Sequence, residues 1–143
     1  MIRPDPIRVF LVDDQTLVRQ GIRSLLALAE GIEVVAEAAD GRQAVELIPQ
    51  VKPDVVLMDM RMPAMSGLEA LQAMGRAGTL PPTIILTTFD DDQLVLAGIK
   101  AGAKGYLLKD VSLEQLVNAI QAVAAGGSLV QPAVTQRLLS GLE

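Results

Sequence analysis

Three short apolar runs in this chain each end in aspartate or a hydroxyl, and a fourth ends in lysine. Val9-Phe10-Leu11-Val12 is followed by Asp13-Asp14, Val55-Val56-Leu57-Met58 by Asp59, Thr83 to Leu86 by Thr87-Thr88, and Gly105 to Leu108 by Lys109. Brought together, these residues supply three carboxylates, a hydroxyl and an amine. Carboxylates at close range repel one another and raise each other's pKa, and a divalent cation relieves that repulsion. The chain has no histidine and no cysteine. Oxygen ligands without nitrogen or sulfur select a hard ion such as Mg²⁺. The same absences exclude Ser-His-Asp and Cys-His catalysis, histidine metal sites, disulfides and thiol chemistry.

Within this set Asp59 is the candidate nucleophile, because carboxylates form acyl phosphates in phosphoryl transfer and an aspartate nucleophile needs no general base. The Asp13-Asp14 pair suits metal binding, together with Asp59 and a backbone carbonyl. The cation would neutralise charge on the transferring group. Thr87 is placed to hydrogen-bond one phosphoryl oxygen, and Lys109 to pair with another as a point charge. Each residue also has a plainer reading. Asp14 could cap the helix that follows, and Thr88 competes with Thr87, since neighbours on a strand point to opposite faces. Tyr106, the only tyrosine, could be simple core. The methionines 58, 60, 62 and 65 read as packing rather than as ligands.

The elements that must position these groups follow from periodicity. Strands are predicted at Ile7–Val12, Glu33–Ala38, Val55–Met58, Thr83–Thr87 and Gly105–Leu108, each a short apolar run. Helical spacing is predicted from Leu17 to Leu26, and from Arg42 to Ile48, where Pro49 is expected to end it. Further helices are predicted over Gly67–Ala77, closed by Gly78, over Asp90–Ala101 with Asp90, Asp91 and Asp92 in the first turn, and after a Ser112 cap. The last carries an apolar stripe of Leu113, Leu116, Val117, Ile120 and Val123. Five strands alternating with five helices imply an α/β fold with a parallel sheet covered on both faces. In such sheets ligand sites lie beyond the carboxyl ends of the strands, which is where all the polar residues above fall.

Length, composition and charge agree with one intracellular domain. The 143 residues suit one domain and are 50% hydrophobic but only 2% aromatic, so aliphatic residues and methionine must fill the core. With 17 acidic against 12 basic residues the net charge is −5, which gives no broad electrostatic footprint for nucleic acid. The N-terminus lacks the apolar segment of a signal peptide, and the uncharged run from Gln115 to Gln136 is interrupted by polar residues, Gly126-Gly127 and Pro132. The expectation is a cytoplasmic protein without a membrane span. After Gly126-Gly127 the pattern breaks, and residues 127–143 read as a linker or short terminal helix.

Four segments carry a family resemblance: Val12-Asp13-Asp14-Gln15, Leu57 to Pro63 around Asp59, Leu86-Thr87-Thr88-Phe89-Asp90, and Gly102 to Asp110 around Lys109. In order and separation they resemble the receiver domains of bacterial two-component response regulators, in detail the NarL/FixJ (LuxR-type) subfamily. The resemblance covers about residues 7 to 126, and the Gly126-Gly127-Ser128 stretch onward is similar to that subfamily's linker. It implies a flavodoxin-like (CheY-like), doubly wound five-stranded parallel sheet in the order 2-1-3-4-5 with five flanking helices. It implies that Asp59 is the phosphoacceptor, and that Asp13, Asp14 and Asp59 with the Arg61 backbone carbonyl hold Mg²⁺. By the same likeness Thr87 and Tyr106 form the switch and Lys109 pairs with the phosphate. The implied partners are a sensor histidine kinase, a second copy of the chain on phosphorylation, and DNA only through a C-terminal helix-turn-helix domain that lies outside this chain. Receivers phosphorylate and dephosphorylate only themselves, so no enzyme turnover of external substrates is expected. Many receivers have Lys-Pro where this chain has Lys109-Asp110, which removes the usual reason for a cis peptide there.

Three rivals are weaker. A haloacid-dehalogenase-type phosphatase has a second aspartate two residues beyond its nucleophile, and here Arg61 occupies that place. A nucleotide-binding flavodoxin-like or Rossmann module would have a glycine-rich phosphate loop after the first strand, where this chain has Asp13-Asp14-Gln15-Thr16. An interaction-only receiver would not need the complete acid, hydroxyl and lysine set. A stand-alone receiver that acts through protein–protein contacts is the alternative to a transcriptional output.

Overall fold

The computed structural model describes residues 5–88 and 92–128. Its elements are β1 (Ile7–Val12), α1 (Thr16–Leu26), β2 (Ile32–Ala38), α2 (Gly41–Val51), β3 (Val55–Asp59), α3 (Gly67–Ala77), β4 (Thr83–Thr87), α4 (Asp92–Lys100), β5 (Gly105–Leu108) and α5 (Leu113–Ala124). The five strands form one sheet in the order β2-β1-β3-β4-β5, all neighbours parallel. This is the doubly wound arrangement expected from the strand–helix alternation. Phe89, Asp90, Asp91 and the expected terminal helix or linker beyond Ser128 lie outside the described residues.

Alternation along the strands builds two cores. Val9 and Leu11, Val55 and Leu57, and Ile84 and Leu86 point to one face, where they bury Leu26 of α1 and Leu116, Ala119, Ile120 and Val123 of α5. Phe10, Val12, Val56 and Met58 point to the other, against Ala44 and Ile48 of α2 and Ala70 and Met74 of α3. Met60, Leu71, Ile85 and Ala103 extend that second layer towards α4. Strands buried on both faces have no polar position to alternate with, which explains why β3 reads Val-Val-Leu-Met without interruption.

Helix termini follow local chemistry, with one departure from expectation and one plainer reading set aside. Ser66 and Ser112 each make a full capping box, with Glu69 and Gln115 respectively. Gly78 closes α3 at φ 72°. Pro49 does not end α2: the helix continues through it to Val51 and closes on Lys52, which is left-handed at φ 53° and donates its N–H to the Ile48 carbonyl at 2.8 Å. A proline in the last turn forfeits one backbone bond near an end that is open anyway, so the helix survives it. Nor does Asp14 cap α1. The N-cap is Gln15, which makes no side-chain capping bond. All peptide bonds of the described residues are trans, Lys109-Asp110 among them.

Candidate functional site

Asp13, Asp59, Thr87 and Lys109 meet at the carboxyl edge of the sheet. Asp13 directly follows β1, and its N–H donates to the Ala38 carbonyl of β2 at 3.1 Å. Its side chain is fully buried. Oδ1 accepts the Gln15 N–H at 2.8 Å, and Oδ2 makes no hydrogen bond although Lys109 Nζ lies 3.2 Å away. Asp59 is the last residue of β3, between β1 and β4, and is 5% exposed. Its Oδ1 accepts a long bond from the Arg61 N–H, 3.4 Å, and its Oδ2 lies 3.2 Å from Lys109 Nζ. Asp14 is exposed at the rim.

One carboxylate oxygen from each of Asp13, Asp14 and Asp59 lies within 4.8 Å of the other two. Burial pushes the Asp59 carboxyl above its ordinary range, and the negative charge of Asp13 pushes the same way. The Lys109 ammonium and the Arg61 N–H oppose both without cancelling them. Burial also disfavours the charged form of Lys109, but Asp59 and Asp13 outweigh it and hold that ammonium above its usual value. One cation thus serves two buried carboxylates, and Asp13 keeps a buried oxygen with an unmet demand for a hydrogen bond or a ligand. An all-oxygen set with one such orphan fits a hard divalent cation.

The neighbouring strands complete the wall. Thr87 is buried at the end of β4, with Oγ1 3.2 Å from the Thr88 carbonyl, whereas Thr88 is exposed. Of the two threonines, only Thr87 therefore lies in the interior, as strand alternation requires. Its carbonyl accepts the Lys109 N–H at 2.9 Å, which ties the exit of β5 to β4. Thr87, Thr88, Leu108, Lys109 and Asp110 line a cavity of about 220 Å³. Tyr106 pairs in register with Ile85, so Thr87, two residues further along β4, shares its sheet face. Tyr106 is half-buried and packs against the cluster of Val95 and Leu96 of α4. Arg61 is exposed, with its peptide N–H directed at Asp59.

Sequence reasoning missed two residues beside the site. Gly67 begins α3 so close to β3 that a Cβ there would meet the Asp59 carbonyl oxygen and lie 2.8 Å from Met60 Cα. Arg19 reaches back from α1 to donate to the Asp13 carbonyl and lies 3.4 Å from Glu37 Oε1. The signal for Gly67 was a glycine directly after a serine N-cap. Arg19 left only a lone cation one turn beyond an acidic pair.

Comparison with known proteins agrees with this geometry. The family model described as the response regulator receiver domain matches residues 9–121. The nitrate/nitrite response regulator protein NarP of Escherichia coli is 47% identical over 133 residues, 93% of this chain and 62% of NarP. The transcriptional regulatory protein YxjL of Bacillus subtilis is 44% identical over 136 residues, 95% of this chain and 62% of YxjL. The crystal structure of a LuxR-family two-component response regulator from an Aurantimonas species superposes with a TM-score of 0.84 at 34% identity, covering 96% of this chain and 99% of that one. The chain therefore spans 62% of the length of these two curated relatives.

Proposed function

The chain belongs to the response regulator receiver domain family, and from that membership we propose that Asp59 accepts a phosphoryl group from the phosphohistidine of a sensor histidine kinase. An Asp59 carboxylate oxygen attacks phosphorus as the phosphorus–nitrogen bond breaks, and the electron pair returns to the departing imidazole. The observation that carries this reading is the buried Asp59 carboxylate, 3.2 Å from Lys109 Nζ and beside the unsatisfied Asp13 Oδ2. Asp13, Asp14, Asp59 and the Arg61 carbonyl would hold Mg²⁺, which offsets negative charge as the phosphoryl group approaches. Lys109 pairs with one phosphoryl oxygen and Thr87 donates to another. Loss of the group by hydrolysis resets the domain, so the chemistry is self-modification and not turnover of a released substrate.

The phosphoryl group shifts an equilibrium between two conformations. Its oxygens draw Thr87 and Lys109 inward, Thr87 vacates space on the face it shares with Tyr106, and the surface formed by α4, β5 and α5 changes. Residues 1–126 form the receiver and residues 127–143 the linker. In the longer protein a helix-turn-helix domain reads DNA, and phosphorylation promotes a homodimer. No helix among the described residues is long and apolar enough to cross a membrane, in keeping with a cytoplasmic location.

Acetyl phosphate with Mg²⁺ should add one phosphoryl group per chain, detected by intact mass. Chelation of the metal or Asp59→Asn should abolish it. Undiminished labelling of the Asp59→Asn protein places the acceptor elsewhere and rejects the reading. Light scattering with and without beryllofluoride tests the dimer, and identical masses at every concentration reject it.

A further inference from the structure

Three of the four polar atoms of Asp13 are hydrogen-bonded within the protein, and Oδ2 is the exception. The N–H donates to Ala38, Oδ1 accepts from Gln15, and Oδ2 faces Lys109. The carbonyl accepts from Nη1 of Arg19. The fixing of that carbonyl comes from an unusual direction. The acidic turn runs straight into α1, whose N-cap Gln15 makes no side-chain capping bond. A helix end without a side-chain cap frays readily, and the acidic turn would fray with it. Arg19 supplies the missing restraint from one turn downstream.

The Arg19 side chain is 17% exposed, and all three guanidinium nitrogens have an oxygen partner. Nη1 binds the Asp13 carbonyl, Nη2 lies 3.4 Å from Thr16 Oγ1, and Nε lies 3.4 Å from Glu37 Oε1. Glu37 stands on β2, opposite Leu11 of β1. Its other oxygen accepts from Arg23 Nη1 at 2.7 Å. A planar fork with fixed donor directions can meet a carbonyl, a hydroxyl and a carboxylate at once, which an ammonium on a flexible stem cannot.

We infer that Arg19, aimed by Glu37, is a positioning residue for the metal-binding acid pair: it anchors the Asp13 main chain so that Oδ2 stays directed into the site. The inference rests on the reading of Asp13, Asp14 and Asp59 as a Mg²⁺ site. Residues that orient metal ligands without touching the metal typically change affinity about tenfold or more when replaced.

The test is calorimetric titration of the full chain with MgCl₂, joined to the metal-free NMR signal of the Gln15 amide, which donates to Asp13 Oδ1. Arg19→Gln should weaken Mg²⁺ binding about tenfold, move the Gln15 amide upfield and speed its exchange in the metal-free protein. Phosphorylation at saturating Mg²⁺ should return towards the wild-type rate, since the acceptor itself is untouched. Arg19→Lys should fall between wild type and Arg19→Gln. Glu37→Gln should give a smaller change in the same direction that does not add to that of Arg19→Gln. Wild-type Mg²⁺ affinity and an unmoved Gln15 amide in both Arg19→Lys and Glu37→Gln, whatever their melting temperatures, would reduce Arg19 to a strap between α1 and β2 and overturn the inference. Failure of the unsubstituted chain to bind Mg²⁺ overturns instead the reading beneath it.

Discussion

The Lys109 ammonium stands 3.2 Å from Asp59 Oδ2, and at the same distance from Asp13 Oδ2. One positive charge therefore compensates two carboxylates that share a buried edge. Lys109→Ala removes the compensation and leaves both acids in place. Buried charges stripped of a partner are strongly unfavourable, and here protonation of Asp59 softens the effect, so a loss of roughly 1–3 kcal/mol is expected without metal. Urea denaturation in EDTA measures it. Added Mg²⁺ should recover part of the loss, because a cation replaces the missing one. An unchanged midpoint would show that the ammonium is not coupled to the pair.

Asp59 carries a carboxyl displaced upward from its ordinary 3.8, by burial and then by the Asp13 charge. A folded state that holds its proton more tightly than the unfolded chain loses stability as pH rises through the displaced value. The upward displacement of Asp59 is therefore destabilising in the metal-free protein at neutral pH. Asp59→Asn should raise the melting temperature in EDTA at pH 7, and the advantage should shrink as pH falls towards 3.8. The same proton competes with the cation, so Mg²⁺ affinity should fall as pH drops through the displaced value. Calorimetry in two buffers of different ionisation enthalpy would detect the proton released on binding. Equal melting temperatures of the two proteins at pH 7 in EDTA would refute the argument.

The sequence carried the fold because its strands are short apolar runs and its helices are periodic. It carried the candidate site because an open parallel sheet sends its strand ends to one edge. Asp13, Asp59, Thr87 and Lys109 each lie directly at such an end, so topology alone brings them together. What escaped depends on tertiary geometry. Arg19 and Glu37 are partners only because α1 crosses β2, and no periodicity links them. Gly67 is needed because α3 begins against the Asp59 carbonyl, a distance invisible in one dimension. Pro49 marks no helix stop, because a proline's cost depends on how many turns follow it and α2 has less than one turn left there. The first strand residue of β2, Ile32, was missed because it follows Gly31 with no further apolar neighbour before Glu33.

Gly67→Ala tests that close approach. The added Cβ would meet backbone atoms, the Asp59 carbonyl oxygen and Met60 Cα, and backbone cannot swing aside as a side-chain tip can. Overpacking of this kind typically costs about 1–3 kcal/mol. The start of α3 must shift, and the loop that carries the Arg61 N–H to Asp59 shifts with it, so Mg²⁺ binding should weaken too. Gly21→Ala is the control, since nothing lies within 4 Å of a Cβ built there. Within a helix that change should stabilise by about 0.5–1 kcal/mol. Thermal melts of the two variants should move in opposite directions, and a Gly67→Ala protein as stable as the wild type would mean that the loop yields freely.

Tyr106 provides its own reporter, because the chain holds one tyrosine and no tryptophan. Its register partner is Ile85, and Thr87 lies two residues along the same face. If inward movement of Thr87 frees the space into which Tyr106 turns, beryllofluoride with Mg²⁺ should change the tyrosine fluorescence of the wild type as the ring leaves Val95 and Leu96. Thr87→Ala deletes the hydroxyl proposed to sense the added charge, while the proposed acceptor Asp59 is left in place. The phosphoryl mass should therefore still appear in this variant, with the fluorescence response reduced or lost. Thr88→Ala, at the exposed position directly after β4, should keep the response. A full fluorescence change in Thr87→Ala, or its loss in Thr88→Ala alone, would assign the sensing hydroxyl to the other threonine and undo the proposed Thr87–Tyr106 coupling.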